Sequence, residues 1–264
     1  MILIEVGVLF AYGYGAKMTA LATTTPQIDY STQTFGLFLV ALLALLGYGM
    51  LLAYSLNSAI AGLLTALLSV TLSVQLTPLL LAFWNDVFYG FGGNKAEITV
   101  ENVKISLILV CSLMIAFSIL AGRLGPFETL VIALGFILGW TFSFELARFL
   151  LYEKGPKSPL VYDDYGTGYI FIFGSYFALT TSVMMNCKQS RLRPRSTNTS
   201  VMMGLIGTGT IFALFPLAGP VLPTSVTVAK VFEGPLNVYF SLAASTVACY
   251  VFSAIFGGGN IGVR

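Results

Sequence analysis

The 264 residues include 57% hydrophobic and only 9% charged side chains, with a formal net charge of +2 and a mean hydropathy of +0.89. Soluble domains carry about 25% charged residues, so this composition excludes a water-facing surface over most of the molecule. The small net charge gives no basis for a nucleic-acid partner. The apolar runs are long and unbroken, which favours an all-α integral membrane fold over a β-barrel of alternating strands.

Eight apolar segments predict membrane-spanning helices, because one crossing takes about 20 mostly apolar residues. They cover residues 2–16, 35–56, 58–84, 104–121, 127–152, 167–186, 201–222 and 236–256. The first segment is short, and Pro78 is predicted to break the third. A polar stretch over residues 85–103 is expected to form a loop. The sequence therefore predicts a polytopic bundle of about eight transmembrane helices.

The connection over residues 187–200 determines the predicted orientation. It contains four basic residues and no acidic one: Lys188, Arg191, Arg193 and Arg195. Short loops rich in lysine and arginine stay on the cytoplasmic side, so we expect this loop, Arg123 and the amino terminus on the inner side. Binding of lipid headgroups or of a partner is an alternative role for the same four residues.

Ionisable side chains at membrane depth cost on the order of 3 kcal/mol, so each needs a partner or a function. Glu145 lies in the fifth segment, and Arg148 follows three residues later on the same helix face. Either an ion pair within the helix or a contact with another helix would account for both. Asp163 precedes the sixth segment, where a carboxylate can cap free N–H groups.

Enzyme and cofactor signatures are missing from the sequence. It contains no histidine, no P-loop and no carboxylate pair with obvious geometry, so we expect neither an enzyme nor a metal site. The expected bound molecules are lipids, and no cofactor is predicted. Glycines such as Gly47, Gly204 and Gly207 are predicted to let helices approach closely.

A family resemblance rests on the sixth segment, where residues 170–179 are IFIFGSYFAL. This run resembles the signature IHTFGAYFGL of the Rh branch of the ammonium transporter family. Asp163 lies eight residues before Phe171, as the aspartate of the family lies before its histidine. Further similar stretches follow the family order: Glu101-Asn102, GRLGP over 122–126, Glu145, IGT over 206–208 followed by Phe215-Pro216, and YFSLAAS over 239–245.

The resemblance implies a trimer of channel subunits that conduct ammonia, each with a pore between two inverted five-helix repeats. Phe171 takes the position of the first pore histidine, Ile108 that of a gate phenylalanine, and Asp163 and Glu145 those of two family acids. These transport-path positions are expected to be inactive. The second pore histidine belongs to a later family helix, and the sequence ends before it.

The expected domain organisation is a single membrane domain over residues 1–264 that resembles a truncated transporter. Residues 1–186 resemble a first helix plus the first inverted repeat, 187–200 form the basic inner loop, and 201–264 resemble an incomplete second repeat. A further interpretation is that the sequence is a fragment of a longer protein.

Two functions are consistent with these departures from the family. Phe171 cannot accept or relay a proton as an imidazole can, and an unpaired charge in hydrocarbon is costly. We therefore expect a degenerate, non-conducting structural subunit of a larger membrane assembly, with a respiratory or other energy-membrane complex as its host. The alternative is a channel for ammonia or another neutral gas, assembled as a homotrimer. The mitochondrial inner membrane and the plasma membrane both fit the sequence.

Overall fold

The computed structural model describes residues 16–18, 27–56, 58–90, 96–120, 124–153, 166–185, 198–217 and 228–256. Helix α1 (Gln27–Leu42) continues through a π-helical turn (Leu43–Tyr48) into α2 (Gly49–Ser55). The helices α3 (Ala59–Tyr89) and α4 (Val100–Leu120) follow. Helix α5 (Pro126–Ala147) continues into a π-helical turn (Arg148–Glu153), and another (Gly168–Ile172) leads into α6 (Phe173–Met184). The last helices are α7 (Asn198–Leu214) and α8 (Val228–Phe256).

Seven of the eight predicted crossings correspond to helices in the described residues. Five stretches are long and apolar enough to cross a membrane: Thr34–Ser55, Ile60–Tyr89, Val100–Leu120, Phe127–Leu150 and Pro235–Phe252. Two apolar helices are shorter, Gly168–Met184 and Asn198–Leu214. The predicted segment 2–16 lies outside the described residues except for Ala16. The all-α, multi-pass membrane fold is confirmed.

Two short strands add a feature that the hydropathy pattern does not predict. The strands β1 (Ala16–Met18) and β2 (Ala96–Ile98) pair in parallel, with Ala16 opposite Ala96. The polar stretch 85–103 is therefore not a simple loop, since α3 extends to Tyr89 before it and α4 begins at Val100.

Pro78 does not break α3, contrary to the prediction from the sequence. The helix is continuous from Ala59 to Tyr89 with Pro78 inside it. The proline ring removes one N–H donor, which leaves the carbonyl of Val74 without its normal i+4 partner. A spanning helix tolerates this loss because neighbouring side chains, ordered water or local adjustment can satisfy the freed carbonyl.

Helix α4 forms the centre of the bundle. Its span is 72% buried, whereas the spans on α3 and α5 are each 39% buried. Side chains such as Leu109, Leu113 and Met114 are fully buried within the core. Helix α8 lies at the opposite extreme, with only 6% of its span buried. It contacts the bundle through residues that include Tyr239, whose ring lies 5.7 Å from that of Phe212 on α7.

Glycines bring α7 against the α1–α2 helix, as the sequence predicts. A Cβ added at Gly207 would lie 2.8 Å from the carbonyl oxygen of Gly47, and one added at Gly204 would lie 3.0 Å from the Tyr54 ring. Such separations leave no room for a side chain, so backbone meets backbone at this crossing. This crossing positions α7, whose end lies beside the π-helical turn that leads into α6.

Candidate functional site

The π-helical turn Gly168–Ile172 presents Phe171, the residue that the family resemblance predicts to replace a pore histidine. The N–H of Phe173 donates to the carbonyl of Gly168, five residues back, which is the π-helical pattern. The N–H of Ile170 donates to the Gly166 carbonyl at 2.8 Å. Single π turns are common at functional sites because they re-aim a side chain without ending the helix.

Two side chains from other helices hold this turn in place. The hydroxyl of Ser112 on α4 donates to the Tyr169 carbonyl at 2.9 Å, and the indole N–H of Trp140 on α5 donates to the same carbonyl at 3.0 Å. A Cβ added at Gly174 would lie 2.7 Å from the Ser112 carbonyl oxygen, so α6 packs directly on the α4 backbone. The position of Phe171 is therefore fixed by α4 and α5 together.

The Phe171 ring is enclosed by two other aromatic rings. Its centroid lies 5.6 Å from that of Phe215 in an edge-to-face arrangement and 6.4 Å from that of Tyr48 in a tilted one. Tyr48 is 3% exposed and belongs to the π-helical turn after α1, so π turns present two of the three rings. Its hydroxyl is buried without a hydrogen-bond partner among the described residues.

Ile108, which the resemblance predicts to replace a gate phenylalanine, lies on α4 in the same core. It is 2% exposed, and Cys111, one turn later, is fully buried. Phe171 packs against the buried cluster to which both belong. The neighbours that the structure records for Phe171 are aromatic rings and a largely aliphatic core. These described neighbours include no imidazole that could accept a proton.

Glu145 is buried in α5, outside this aromatic cluster. Its Oε1 atom lies 3.6 Å from the Nη1 atom of Arg148, whose side chain is 50% exposed. The structure thus contains the ion pair within the helix that the sequence suggested. The preceding residue, Phe144, stacks on Trp140 at 5.2 Å. Glu145 therefore lies next to the aromatic pair that includes Trp140, which supports the π-helical turn Gly168–Ile172. Its part in a transport path stays a prediction.

Five predicted site residues lie outside the described residues: Asp163 and the basic residues Lys188, Arg191, Arg193 and Arg195. Their proposed roles in capping, orientation or headgroup binding remain predictions. Within the described part of the chain, no group of three or more metal-ligating residues occurs.

Sequence reasoning missed the partners of Phe171. Phe215 was part of a matched pair with Pro216, but nothing in the linear sequence places it against Phe171. Tyr48, Ser112 and Trp140 carried no motif. A weak signal for Ser112 and Trp140 was their polarity within long apolar segments, since buried side chains of these types need hydrogen-bond partners.

Comparisons with known proteins agree on one family. No family model matches the sequence. Ammonium transporter Rh type B from Takifugu rubripes is 26% identical over 263 residues, covering 97% of this chain and 54% of the relative. The Rh type B protein of Sus scrofa is 30% identical over 196 residues, 70% of this chain and 40% of the relative. The chain thus spans about half the length of the curated relatives that it matches.

A solved structure shows the same fold. Rh50 of Nitrosomonas europaea, described with the mechanism of conduction by the Rhesus protein family of channels, aligns with a TM-score of 0.69 at 22% identity. The alignment covers 90% of this chain and 60% of that chain. At this identity the similarity shows the architecture, and the chemistry has to be argued from the residues described above.

Proposed function

We propose that this chain, which belongs to the Rh and ammonium transporter family, is a non-conducting member that serves as a structural subunit of a larger membrane assembly. The observation that carries the proposal is the Phe171 ring, which packs against Phe215 and Tyr48 where the family resemblance places a pore histidine. An aromatic ring there fills space and provides no proton acceptor.

The chemistry of ammonium passage explains why this matters. An ammonium ion must lose its water shell, and usually its proton, before it enters an apolar lumen, because an unpaired charge in hydrocarbon is costly. Imidazole can accept and relay that proton near neutral pH. The 264 residues contain no histidine, and Ile108 and Phe171 offer only apolar side chains. This part of the chain therefore lacks the means to deprotonate ammonium.

Helix α8 supports an assembly role because it presents a large apolar surface. Phe240 is 73% exposed, Val247 63% and Ile255 65%. In a bilayer such a face meets either lipid or another membrane helix, and extensive exposed apolar surface is typical of interaction sites. We propose that helices of other membrane subunits cover this face, and a respiratory complex is the host class to examine first.

Purification of the tagged protein from its native membrane in a mild detergent tests the assembly role. We expect foreign membrane subunits to co-migrate with it in fixed stoichiometry on a native gel, with their identities given by mass spectrometry. Phe240→Ala on α8 should weaken this association, whereas Phe127→Ala on α5, which removes a ring that is 76% exposed, should leave it intact. A stable homotrimer without foreign subunits would contradict the proposal.

A channel for ammonia or another neutral gas is the second candidate. The observation that favours it is the fold, which matches a structure described in terms of conduction, together with relatives named ammonium transporters. Neutral ammonia needs no proton relay to cross an apolar lumen. This candidate requires the three rings at Phe171 to move apart, and a flux measurement separates it from the first.

A further inference from the structure

Hydroxyl side chains follow one face of α3 at one-turn spacing: Thr65, Ser69, Ser73 and Thr77. The first two donate to their own helix, Thr65 to the Ala61 carbonyl at 2.8 Å and Ser69 to the Thr65 carbonyl at 2.7 Å. Ser73 and Thr77 are both 0% exposed, and their hydroxyl oxygens have no hydrogen-bond partner in the part of the chain that the structure describes. Among the serines and threonines that the structure describes, only these two have a buried hydroxyl without a hydrogen-bond partner.

Pro78 leaves a third polar group, a backbone carbonyl, without its usual donor at the same place. Because proline has no N–H, the carbonyl of Val74 lacks the donor that residue 78 would supply in an ordinary helix. Thr77 lies three residues after Val74, and helical threonines commonly donate to a carbonyl three or four residues back. In this structure Thr77 makes no such bond. Two hydroxyls and one carbonyl therefore lie within one turn of α3, beside the proline.

We propose that Ser73, Val74 and Thr77 bind one buried water molecule at membrane depth. A buried water typically makes about three hydrogen bonds to polar groups that would otherwise be unsatisfied. It would donate to the Val74 carbonyl and to one hydroxyl oxygen, and accept from the other hydroxyl. A hard metal cation is a poorer match, since calcium takes about six to eight oxygen ligands.

The first hydroxyl of the row, that of Thr65, lies at a groove on the described part of the bundle. Thr65 lines a groove of about 360 Å³ together with residues of α2, α4 and the start of α5, among them Leu52, Phe117 and Thr129. Ser69 lies one turn inward from Thr65, and Ser73 one turn further.

A double-mutant cycle between Thr77→Val and Pro78→Ala tests the proposal. With Pro78 in place, Thr77→Val should lower the thermal midpoint of the detergent-purified protein by about 2–4 °C, because the water loses a partner. In the Pro78→Ala background the restored backbone N–H at position 78 can satisfy the Val74 carbonyl. There Thr77→Val should shift the midpoint by less than ~1 °C, so the two changes should be coupled.

The matched control is Thr71→Val on the same helix, whose exposed hydroxyl donates to the Leu67 carbonyl at 3.0 Å. It should have the same small effect in both backgrounds. A Thr77→Val change that is neutral or stabilising with Pro78 present would overturn the proposal, because removing an unsatisfied hydroxyl is expected to help when no water binds there.

A crystal structure of the unmodified protein decides the matter if Pro78→Ala prevents folding. We expect ordered water density within hydrogen-bond distance of the Val74 carbonyl and the Thr77 hydroxyl. A dry site in which the Thr77 hydroxyl has turned to the Ser73 carbonyl would overturn the proposal.

Discussion

The ring of Phe171 meets the ring of Phe215 edge to face, with centroids 5.6 Å apart. Phe171 lies in the π-helical turn before α6 and Phe215 directly follows α7, and each is positioned by contacts away from the rings. The turn that carries Phe171 is held by Ser112 and Trp140, and α7, which leads to Phe215, is held by the close approach of Gly207 to Gly47. The contact between the two rings is thus a consequence of helix packing.

Truncating Phe171 should weaken the packing of its ring against the neighbouring aromatic rings. Phe171→Ala should cost about 1–3 kcal/mol of stability, below the 3–5 kcal/mol typical of fully buried phenylalanines, because the ring is only partly buried. Thermal unfolding in detergent measures the change. Phe240→Ala on the exposed face of α8 is the control and should change stability little in detergent. Equal losses at both positions would mean that Phe171 contributes no packing of its own.

The shared acceptor at Tyr169 predicts coupling between Ser112 and Trp140. Ser112→Ala or Trp140→Phe leaves the carbonyl with one side-chain donor, and each lost hydrogen bond should cost about 0.5–1.5 kcal/mol. The double variant removes both donors, so its loss should exceed the sum by about 1 kcal/mol in a thermal double-mutant cycle.

Ser118→Ala is the control for that cycle, because the Ser118 hydroxyl donates to the Met114 carbonyl of its own helix. Combined with Trp140→Phe it should be additive. Additivity for Ser112 as well would show that the two donors act independently on the turn.

The crossing of α7 with the α1–α2 helix predicts a contrast between two glycines of α7. A Cβ at Gly207 would meet backbone atoms, the Gly47 carbonyl oxygen at 2.8 Å and the Leu51 nitrogen at 3.0 Å, so Gly207→Ala should cost about 1–3 kcal/mol through overpacking. No atom of the described residues lies within 4 Å of a Cβ added at Gly209. Gly209→Ala should therefore be neutral or stabilise by up to ~1 kcal/mol. Similar midpoints for the two variants would exclude this crossing.

The Glu145–Arg148 pair predicts an asymmetry, because Glu145 is buried and Arg148 is half exposed. Arg148→Gln removes the cation beside a buried carboxylate and should cost about 1–2 kcal/mol. Glu145→Gln leaves a half-exposed arginine two residues from the end of the span, where its long side chain can reach the membrane interface, so its cost should be smaller. The double variant should unfold near the midpoint of Glu145→Gln. Chemical denaturation of the four proteins measures this, and a larger cost for Glu145→Gln would refute the asymmetry.

The sequence predicted those features of the fold that follow from burial of apolar segments in lipid. Long apolar segments specify helices in lipid, so seven of the eight predicted crossings have a helix in the described residues, with ends shifted by several residues. The spacing of Glu145 and Arg148 suggested an ion pair as one of two possibilities, and the structure contains that pair. The family position assigned to Phe171 stays a prediction.

The remaining features depend on contacts between distant residues. The Pro78 prediction was wrong because local propensity gives way where a broken helix would leave backbone groups unsatisfied in lipid. The π turns at Tyr48 and Phe171, and the donors on the Tyr169 carbonyl, arise from packing between helices that hydropathy does not encode. The strand pair β1–β2 likewise joins segments that are far apart in sequence.

Ammonia entry into proteoliposomes tests the central claim most directly. The purified protein is reconstituted with a pH-sensitive dye, an ammonia gradient is applied by stopped flow, and protein-free vesicles and a reconstituted Rh50 channel run in parallel. Because the proposed subunit does not conduct, we expect the alkalinisation rate to equal that of protein-free vesicles at every protein density. A rate above that background that rises with the amount of protein would contradict a non-conducting subunit and establish the channel instead.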